Sequence, residues 1–279
     1  MHLFIIFAAL IVAITTRYQW SQCLGRWNER WQRSLFFFLF PPLLIFTTTS
    51  ALLFMGPQGA MGGLQTGCYG YVIALAALAF FAMTWIKQAW LGWQSIKSVR
   101  NCPLLDIGDK QVRLLNTGAL FAGQIGFLQP ELILSSGLVQ TLSSNHLEAV
   151  LAHEEGHYYY RDTFWFFWLG WMRECTAWLP NSEALWQELL TLRELRADAR
   201  AVSEVDPLLL AESLLMVVSS SPVSSGVLCA ALGSVGANRL EERVEALLSP
   251  PQPTPKLHFT SLNWLLWTFL PLVSVVFHS

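Results

Sequence analysis

The stretch Asn145-His146-Leu147-Glu148-Ala149-Val150-Leu151-Ala152-His153-Glu154-Glu155-Gly156-His157 organises the predicted fold. Read as an α-helix, it places His153 and His157 one turn apart on the same face. Two imidazoles in that arrangement can bind one metal ion, at roughly 2.0–2.1 Å for each nitrogen. Glu154 follows the first histidine and can act as a general base on a water beside the metal. The competing interpretation is a surface helix with two solvated histidines.

The histidine pair needs a third ligand, because catalytic zinc sites have three protein ligands and leave a fourth position open. His258 lies in a proline-rich stretch and His278 at the far end of an apolar segment, so both are poorly placed. Glu194 is a better candidate, and Asp198 lies one helical turn after it on the same face. Asp198 would accept the spare N–H of a ligand histidine. The alternative is that these acids and the neighbouring arginines form a solvated, salt-bridged face.

The composition indicates a membrane protein. Hydrophobic residues make up 53% of the 279 residues and charged residues 13%, whereas soluble domains have about 25% charged residues. The net charge of −2 gives no electrostatic basis for binding nucleic acid. The cysteines contain no C-x-x-C pair, which argues against a zinc knuckle and against a secreted disulfide framework.

Four apolar segments are long enough to cross a bilayer, at residues 3–19, 35–55, 71–90 and 259–277. Arginines follow the first segment, the loop after the second carries no charge, and lysines and arginines follow the third. Positive residues favour the cytoplasmic side. We therefore expect the N-terminus outside, and everything between the third and fourth segments in the cytoplasm.

Two local features affect the predicted helices in these apolar segments. Pro41-Pro42 should kink the second apolar segment near its middle. Residues 163–180 are strongly apolar but contain Arg173 and Glu174, which a full span would have to bury. We expect this segment to be a helix packed against the membrane face or the other spans.

The region between the third and fourth segments contains both strand and helix patterns. Residues 111–115 and 130–134 are predicted strands, and glycines separate them. Ser143 or Ser144 is the expected N-cap of the helix that carries the histidine pair. Further helices are predicted at residues 183–203, 207–217 and 238–248. A strand near residues 125–128 could bind a substrate as an added β-strand.

These motifs together resemble a known family. The motif His153-Glu154-x-x-His157-x-x-x-Arg161-Asp162 follows the strand Pro130-Glu131-Leu132-Ile133-Leu134 and precedes Glu194-x-x-Ala197-Asp198. This order is similar to that of the integral-membrane zinc metallopeptidases (gluzincins) of the BlaR/MecR type, the antibiotic-sensor signalling proteases. The HtpX-like quality-control proteases and the CAAX prenyl proteases are more distantly similar. The Arg161-Asp162 pair favours the BlaR/MecR type.

The resemblance implies one zinc ion bound by His153, His157 and Glu194. It implies Glu154 as the catalytic base and Asp198 as a residue that orients a ligand. A second donor must stabilise the oxyanion of the reaction. The residues that could stabilise this oxyanion or support the site are Tyr158, Tyr159, Tyr160, Arg161, Asp162, Asn238, Arg239 and Arg243. For Arg161 and Asp162 we favour a structural role, in which they cap the next helix and bridge to the catalytic one.

We expect a mainly α membrane protein with about four transmembrane helices and a cytoplasmic α+β zincin-like protease domain between spans three and four. The predicted boundaries are a membrane domain at 1–100, a metallopeptidase domain at 101–249, a Pro-rich linker at 250–258 and a last transmembrane helix at 259–277. Localisation in the bacterial inner (plasma) membrane follows from the resemblance.

The expected function is hydrolysis of peptide bonds in a cytoplasmic or membrane-proximal protein, such as a repressor. The sequence contains no S-x-x-K motif of a penicillin-binding sensor domain, so a signal would enter through the spans, the outside loops or a separate sensor partner. Alternative functions are HtpX-like quality control of membrane proteins, or an inactive metal-binding receptor or scaffold. The expected partners are a protein substrate and the lipid bilayer, with a homo-oligomer left open.

Overall fold

The computed structural model describes residues 2–21, 25–57, 60–61, 64–65, 68–220, 237–249 and 263–277. The predicted Pro-rich linker at 250–258 lies outside these residues. The chain divides into two compact units. The first comprises Met1–Gln88, Leu169–Leu189 and Pro255–Ser279, and the second comprises Ala89–Trp168 and Leu190–Thr254. The domain boundaries predicted from the sequence remain predictions.

Three helices form the N-terminal part of the chain: α1 (His2–Tyr18), α2 (Trp27–Met55) and α3 (Cys68–Arg100). The short strands β1 (Ala60–Met61) and β2 (Leu64–Gln65) pair between α2 and α3. At about 1.5 Å per residue, α2 and α3 both exceed the roughly 30 Å hydrocarbon core of a bilayer. They are the two candidate membrane-spanning helices among the described residues, whereas α1 is apolar but shorter. The predicted count of four spans is therefore not confirmed.

Arg17, near the end of α1, joins several elements of the first unit. Its side chain is fully buried and donates hydrogen bonds to Ser182 Oγ and to the Phe38 carbonyl, each over 3.1 Å. Asn181 in turn donates to the Arg17 carbonyl over 3.0 Å. These contacts hold α1 and α2 against the turn that precedes α7 (Ser182–Ala201). α2 runs without a break through the proline pair at 41–42.

The apolar segment predicted at 163–180 forms α6 (Asp162–Cys175), a helix of 14 residues. Such a helix is about 21 Å long, which is too short to cross a bilayer. Arg173 donates to Glu183 on α7 over 2.6 Å and lies 5.5 Å from the ring centre of Trp186. Arg173 is therefore paired on its own side of the segment, and Glu174 is 54% exposed beside it.

The residues that the structure describes within the predicted last span at 259–277 form α10 (Trp264–Thr268), α11 (Leu270–Val273) and a 3₁₀ turn at Ser274–Phe277. A transmembrane helix at 259–277 stays a prediction. Pro271 lacks a backbone N–H and cannot continue an α-helical ladder. The Leu272 N–H bonds to the Phe269 carbonyl instead, while the Thr268 carbonyl accepts a hydrogen bond from the Thr47 hydroxyl on α2.

A four-stranded mixed sheet lies in the second unit, in the order β3-β4-β6-β5. The strands are β3 (Leu104–Ile107), β4 (Lys110–Leu115), β5 (Ala122–Ile125) and β6 (Glu131–Ser135). β4 and β6 are parallel, and the other two pairs are antiparallel. The two strands predicted at 111–115 and 130–134 correspond to β4 and β6, the central pair, whereas β3 was not predicted. The strand predicted near residues 125–128 is displaced, because β5 covers Ala122–Ile125 and residues 126–128 are not in a strand.

Among the described residues, the second unit also contains the helices α4 (Ser136–Thr141), α5 (Ser144–Tyr159), α8 (Pro207–Ser220) and α9 (Ala237–Leu248), together with the end of α3, the start of α6 and the C-terminal part of α7. Ser143 caps α5, as predicted, by accepting a hydrogen bond from the His146 N–H. Val150 packs into a core with Leu134 of β6, while Ala149 packs on the other side with residues of α7, α8 and α9. The observed mixture of helices and a small sheet agrees with the predicted fold class.

Candidate metal centre

α5 carries the histidine pair in the orientation that the sequence predicts. His153 and His157 lie one turn apart, and their Nε2 atoms are 3.1 Å from each other. Each side chain is 12% exposed. Two imidazole nitrogens turned towards each other at this distance, with little access to solvent, differ from the solvated histidines of an ordinary surface helix.

α7 brings Glu194 to the same point. Its Oε2 atom lies 3.4 Å from His153 Nε2 and 3.7 Å from His157 Nε2. The three ligand atoms therefore form a triangle with sides of 3.1, 3.4 and 3.7 Å. Ligands about 2.0–2.1 Å from a tetrahedral zinc ion would be about 3.3 Å apart. The donor set and its size fit one zinc ion without rearrangement.

A carboxylate stands behind each histidine. His153 Nδ1 lies 2.8 Å from Asp198 Oδ1, and His157 Nδ1 donates to Asp162 Oδ2 over 2.7 Å. A carboxylate at Nδ1 favours the tautomer in which Nε2 is the metal ligand. Asp198 therefore occupies the predicted position. Asp162 was not predicted to orient His157. It was predicted to bridge to the helix that carries the histidines, and its contact with His157 is such a bridge.

Three arginines neutralise these three buried carboxylates. Arg243 of α9 donates to both oxygens of Asp198, over 2.7 and 2.8 Å, and approaches Glu194 Oε2 at 3.3 Å. Arg193 donates to Glu194 Oε1 over 2.9 and 2.6 Å, which leaves Oε2 towards the histidines. Arg196 donates to Asp162. With Glu154 included and both histidines neutral, as metal ligands must be, the site carries one excess negative charge, which favours a bound cation.

In the metal-free protein, the surrounding charges shift the pKa values of the ligand groups and of the aspartate beside them. Burial opposes ionisation of Glu194, but Arg193 and the two histidines keep its pKa well below its usual value. Burial likewise opposes ionisation of Asp198, yet Arg243 and His153 lower its pKa to about 2. Burial alone would lower the pKa of His157, whereas Glu194 and Asp162 raise it to about 10. A metal ion would have to displace the proton that His157 holds.

The two adjacent acids of the motif point to different surroundings. Glu154 is buried, at 7% exposure, and its charge acts on His157 and Arg243. Glu155 is 44% exposed and forms an ion pair with Lys110 of β4. Glu154 is therefore placed to act at the site, whereas Glu155 faces away from it, as predicted.

Gly156 allows α5 and α7 to approach closely. A Cβ atom at this position would lie 3.0 Å from the Ala197 carbonyl oxygen and 3.1 Å from its Cα. Ala197 is itself fully buried and follows Glu194 by three residues. Small residues on both helices thus bring the glutamate within reach of the histidines.

The other residues that we predicted to support the metal site lie in different surroundings. Tyr158 is exposed, Tyr159 packs under Arg200, and Tyr160 packs under Arg196. Arg161 has a φ of 53°, and this left-handed residue turns the chain so that Asp162 begins α6 beside His157. Among the predicted oxyanion donors with described side chains, Arg243 contacts a ligand carboxylate.

Residues 107–187 match Peptidase family M48. The matched stretch contains the His153–His157 motif and Asp162, and it ends seven residues before Glu194. No curated protein and no solved structure matches the chain. The match supports a metallopeptidase, and peptidases of that family are metal-dependent, typically with zinc. It gives no support to the BlaR/MecR type in particular.

Proposed function

We propose that this chain is a zinc-dependent endopeptidase of family M48 that is anchored in a membrane. The observation that carries the proposal is the triangle of His153 Nε2, His157 Nε2 and Glu194 Oε2, whose sides of 3.1–3.7 Å suit one tetrahedral ion. The family match over residues 107–187 supports it independently. Catalytic zinc sites have three protein ligands of this kind and leave the fourth position of the metal open.

When bound, zinc would polarise the scissile carbonyl and make a water molecule more acidic. Glu154 accepts the proton of that water and then delivers it to the leaving amine. Asp198 and Asp162 hold the two histidines by their Nδ1 atoms, so that both Nε2 atoms remain directed at one point. Arg193 fixes Glu194 through Oε1 and presents Oε2. Arg243 is the residue best placed to add positive charge near the developing oxyanion.

We further propose that the peptidase acts at the cytoplasmic face of a plasma membrane, on a cytoplasmic or membrane-proximal protein. α2 and α3 supply the two candidate spans, and α3 carries Lys97 and Arg100 in its last turn without any acidic residue in its first. Positive charge at that end favours the cytoplasmic side. Regulatory cleavage is the role we favour, with quality control of membrane proteins as the alternative.

The test compares Glu154→Gln with Glu155→Gln in the full-length protein, purified in detergent and supplied with zinc. Both variants make the same chemical change at neighbouring positions of α5. Because loss of a general base costs about 10²–10⁴ in rate, Glu154→Gln should lose cleavage of an unfolded protein such as casein and still bind zinc. Glu155→Gln should keep cleavage within a few-fold of the wild type.

Two results would oppose the proposal. If Glu154→Gln were as active as the wild type, Glu154 would not be the general base. A zinc-loaded wild type that cleaves nothing, with casein and a proteome-derived peptide library both supplied, would favour the inactive receptor or scaffold.

A further inference from the structure

The outer edge of β5 offers backbone groups for a further strand. β5 pairs with β6 on one side and ends the sheet in the part of the chain that the structure describes. The Ser135 N–H bonds to the Phe121 carbonyl, and the register continues as Ala122 opposite Leu134. Because hydrogen-bonded residues alternate along an antiparallel strand, Ala122 and Gln124 direct their N–H and C=O groups to the open edge.

This edge lies beside the proposed general base. The Gln124 side-chain amide donates a hydrogen bond to the backbone carbonyl of Glu154. The contact fixes the middle of β5 against α5 at the residue that would activate water. A polypeptide that pairs with Ala122 and Gln124 would therefore pass next to Glu154 and the adjacent ligands.

An apolar patch follows directly after β5. Phe127 packs against the rings of Phe164 and Phe167 of α6, with ring centres 4.8 and 5.0 Å away. Next to Phe127 in the chain, Leu128 is 70% exposed. Trp165 is 57% exposed, and its ring centre lies 5.2 Å from that of Phe164. Residues 116–130 and 163–172 contain no charged side chain. We call Leu128 and Trp165, with the rings of Phe127, Phe164 and Phe167, the post-β5 patch.

A tight turn holds the patch in place relative to β5. Gly126 has a φ of 128°, and a Cβ there would lie 2.7 Å from the Gln129 carbonyl oxygen. That conformation is open to glycine and not to residues with a side chain. The chain therefore leaves β5 in one direction and presents Leu128 at a defined position beyond Ile125.

We propose that the post-β5 patch is a specificity subsite that binds an apolar side chain of the substrate on the amino-terminal side of the cleaved bond. The proposal rests on the proposed function and adds the class of substrate. We expect an added strand to run antiparallel to β5, because antiparallel pairs are slightly more stable per residue than parallel ones, so its amino-terminal residues pass Ile125 and reach Leu128. Leu128 follows Gln124 by four residues, and the last three of them lie in the turn after β5. The distance is therefore shorter than four strand residues of about 3.3–3.4 Å each, which places the preferred position two to four residues before the cut.

The open strand edge favours a polypeptide over lipid as the occupant. Unpaired backbone N–H and C=O groups are not tolerated against hydrocarbon, and among the described residues no strand pairs with the groups that Ala122 and Gln124 direct to this edge. A peptide satisfies these groups and covers Leu128 and Trp165 at the same time. A bilayer would cover the apolar side chains and leave the strand edge without partners.

The test is a proteome-derived peptide library, cleaved by the full-length zinc-loaded protein and read by mass spectrometry. The variants are Leu128→Glu and Trp165→Glu, with Leu208→Glu as the matched control, because Leu208 is 60% exposed on α8. The wild type should prefer apolar residues two to four positions before the cut. Since a lost apolar contact is worth about tenfold or more in discrimination, both patch variants should lose this preference, and Leu128→Glu should gain lysine and arginine there. Leu208→Glu should cleave like the wild type.

The outcomes separate this inference from the proposed function. Cleavage without an apolar preference, or with the preference on the carboxyl side of the cut, overturns the subsite and leaves the peptidase in place. Patch variants that keep wild-type specificity but lose binding to phospholipid vesicles show that the patch docks on a bilayer, which also overturns it. A zinc-loaded wild type that cleaves no peptide removes the proposed function, and the subsite with it.

Discussion

Gly156→Ala tests whether the close approach of α5 and α7 assembles the metal centre. At an exposed helix position, replacing glycine by alanine stabilises the helix by about 1 kcal/mol. Here the new methyl would lie 3.0 Å from the Ala197 carbonyl oxygen and 3.1 Å from its Cα. Forcing an extra methyl into a packed contact costs about 1–3 kcal/mol. The net effect is a destabilisation of about 0–2 kcal/mol, or a melting temperature lowered by up to about 8 °C.

The larger effect should fall on the metal. The atoms that the new methyl meets are backbone atoms of α7, so the helix that carries Glu194 must move by a few tenths of an ångström. Changes behind the ligands of a zinc site typically cost about 10–100-fold in affinity, and we expect a loss of at least about tenfold. Melting temperature followed by circular dichroism, and zinc affinity by competition with a chromophoric chelator, measure the two effects in detergent.

Gly92→Ala is the matched control, because Gly92 lies in α3 and a Cβ atom added there would meet no other atom within 4 Å. It should keep the wild-type zinc affinity and melt at the same temperature or slightly higher. The reasoning is refuted if Gly156→Ala binds zinc as tightly as the wild type and gains as much thermal stability as the control.

Three further predictions follow from the same contacts. Asp198→Asn should weaken zinc binding by about 10–100-fold, because it removes the carboxylate that contacts His153 Nδ1 and leaves Arg243 with one anionic contact. Competition with a chelator measures the zinc affinity, and an unchanged affinity would contradict the prediction. Since the carboxylates raise the pKa of His157 to about 10 in the metal-free protein, zinc affinity should rise with pH up to about that value. Binding near pH 7 should release at least about one proton, because the pKa of His153 is raised as well. Calorimetric titration in two buffers with different heats of ionisation detects the proton, and identical heats would count against it. The full-length protein should stay in the membrane fraction after alkaline carbonate extraction because of α2 and α3; its release into the supernatant would argue against the anchor.

The parts of the site that the sequence predicts are those that local helical geometry determines. His153 and His157 are one turn apart in any helix, and so are Glu194 and Asp198, so each pair could be assigned to one face before the structure was known. β4 and β6 were also predictable, because each contains three apolar residues, at 112, 114 and 115 and at 132–134, and glycines and turn residues separate the two runs. Ser143 was recognisable as a cap because a serine precedes the first turn of α5.

The remaining features depend on contacts that no local pattern encodes. β5 contains Gly123 and Gln124 and becomes a strand through pairing with β6. Asp162 reaches His157 because Arg161 adopts a left-handed conformation, which its residue type does not indicate. Arg193 and Arg196 resemble a solvated charged face in the sequence, yet in the structure they neutralise buried carboxylates. The described residues of the last apolar segment form two short helices, because Pro271 lacks the N–H that would continue the first.

The central claim is that His153, His157 and Glu194 bind one zinc ion. The direct measurement is the metal content of the purified full-length protein together with its zinc X-ray absorption spectrum. The account predicts one zinc per chain, with nitrogen and oxygen neighbours at about 2.0–2.1 Å, two of them imidazoles, and no sulfur. It also predicts that Glu194→Gln binds zinc more weakly. A protein that takes up no zinc, a spectrum with sulfur ligands, or undiminished affinity in Glu194→Gln would contradict it.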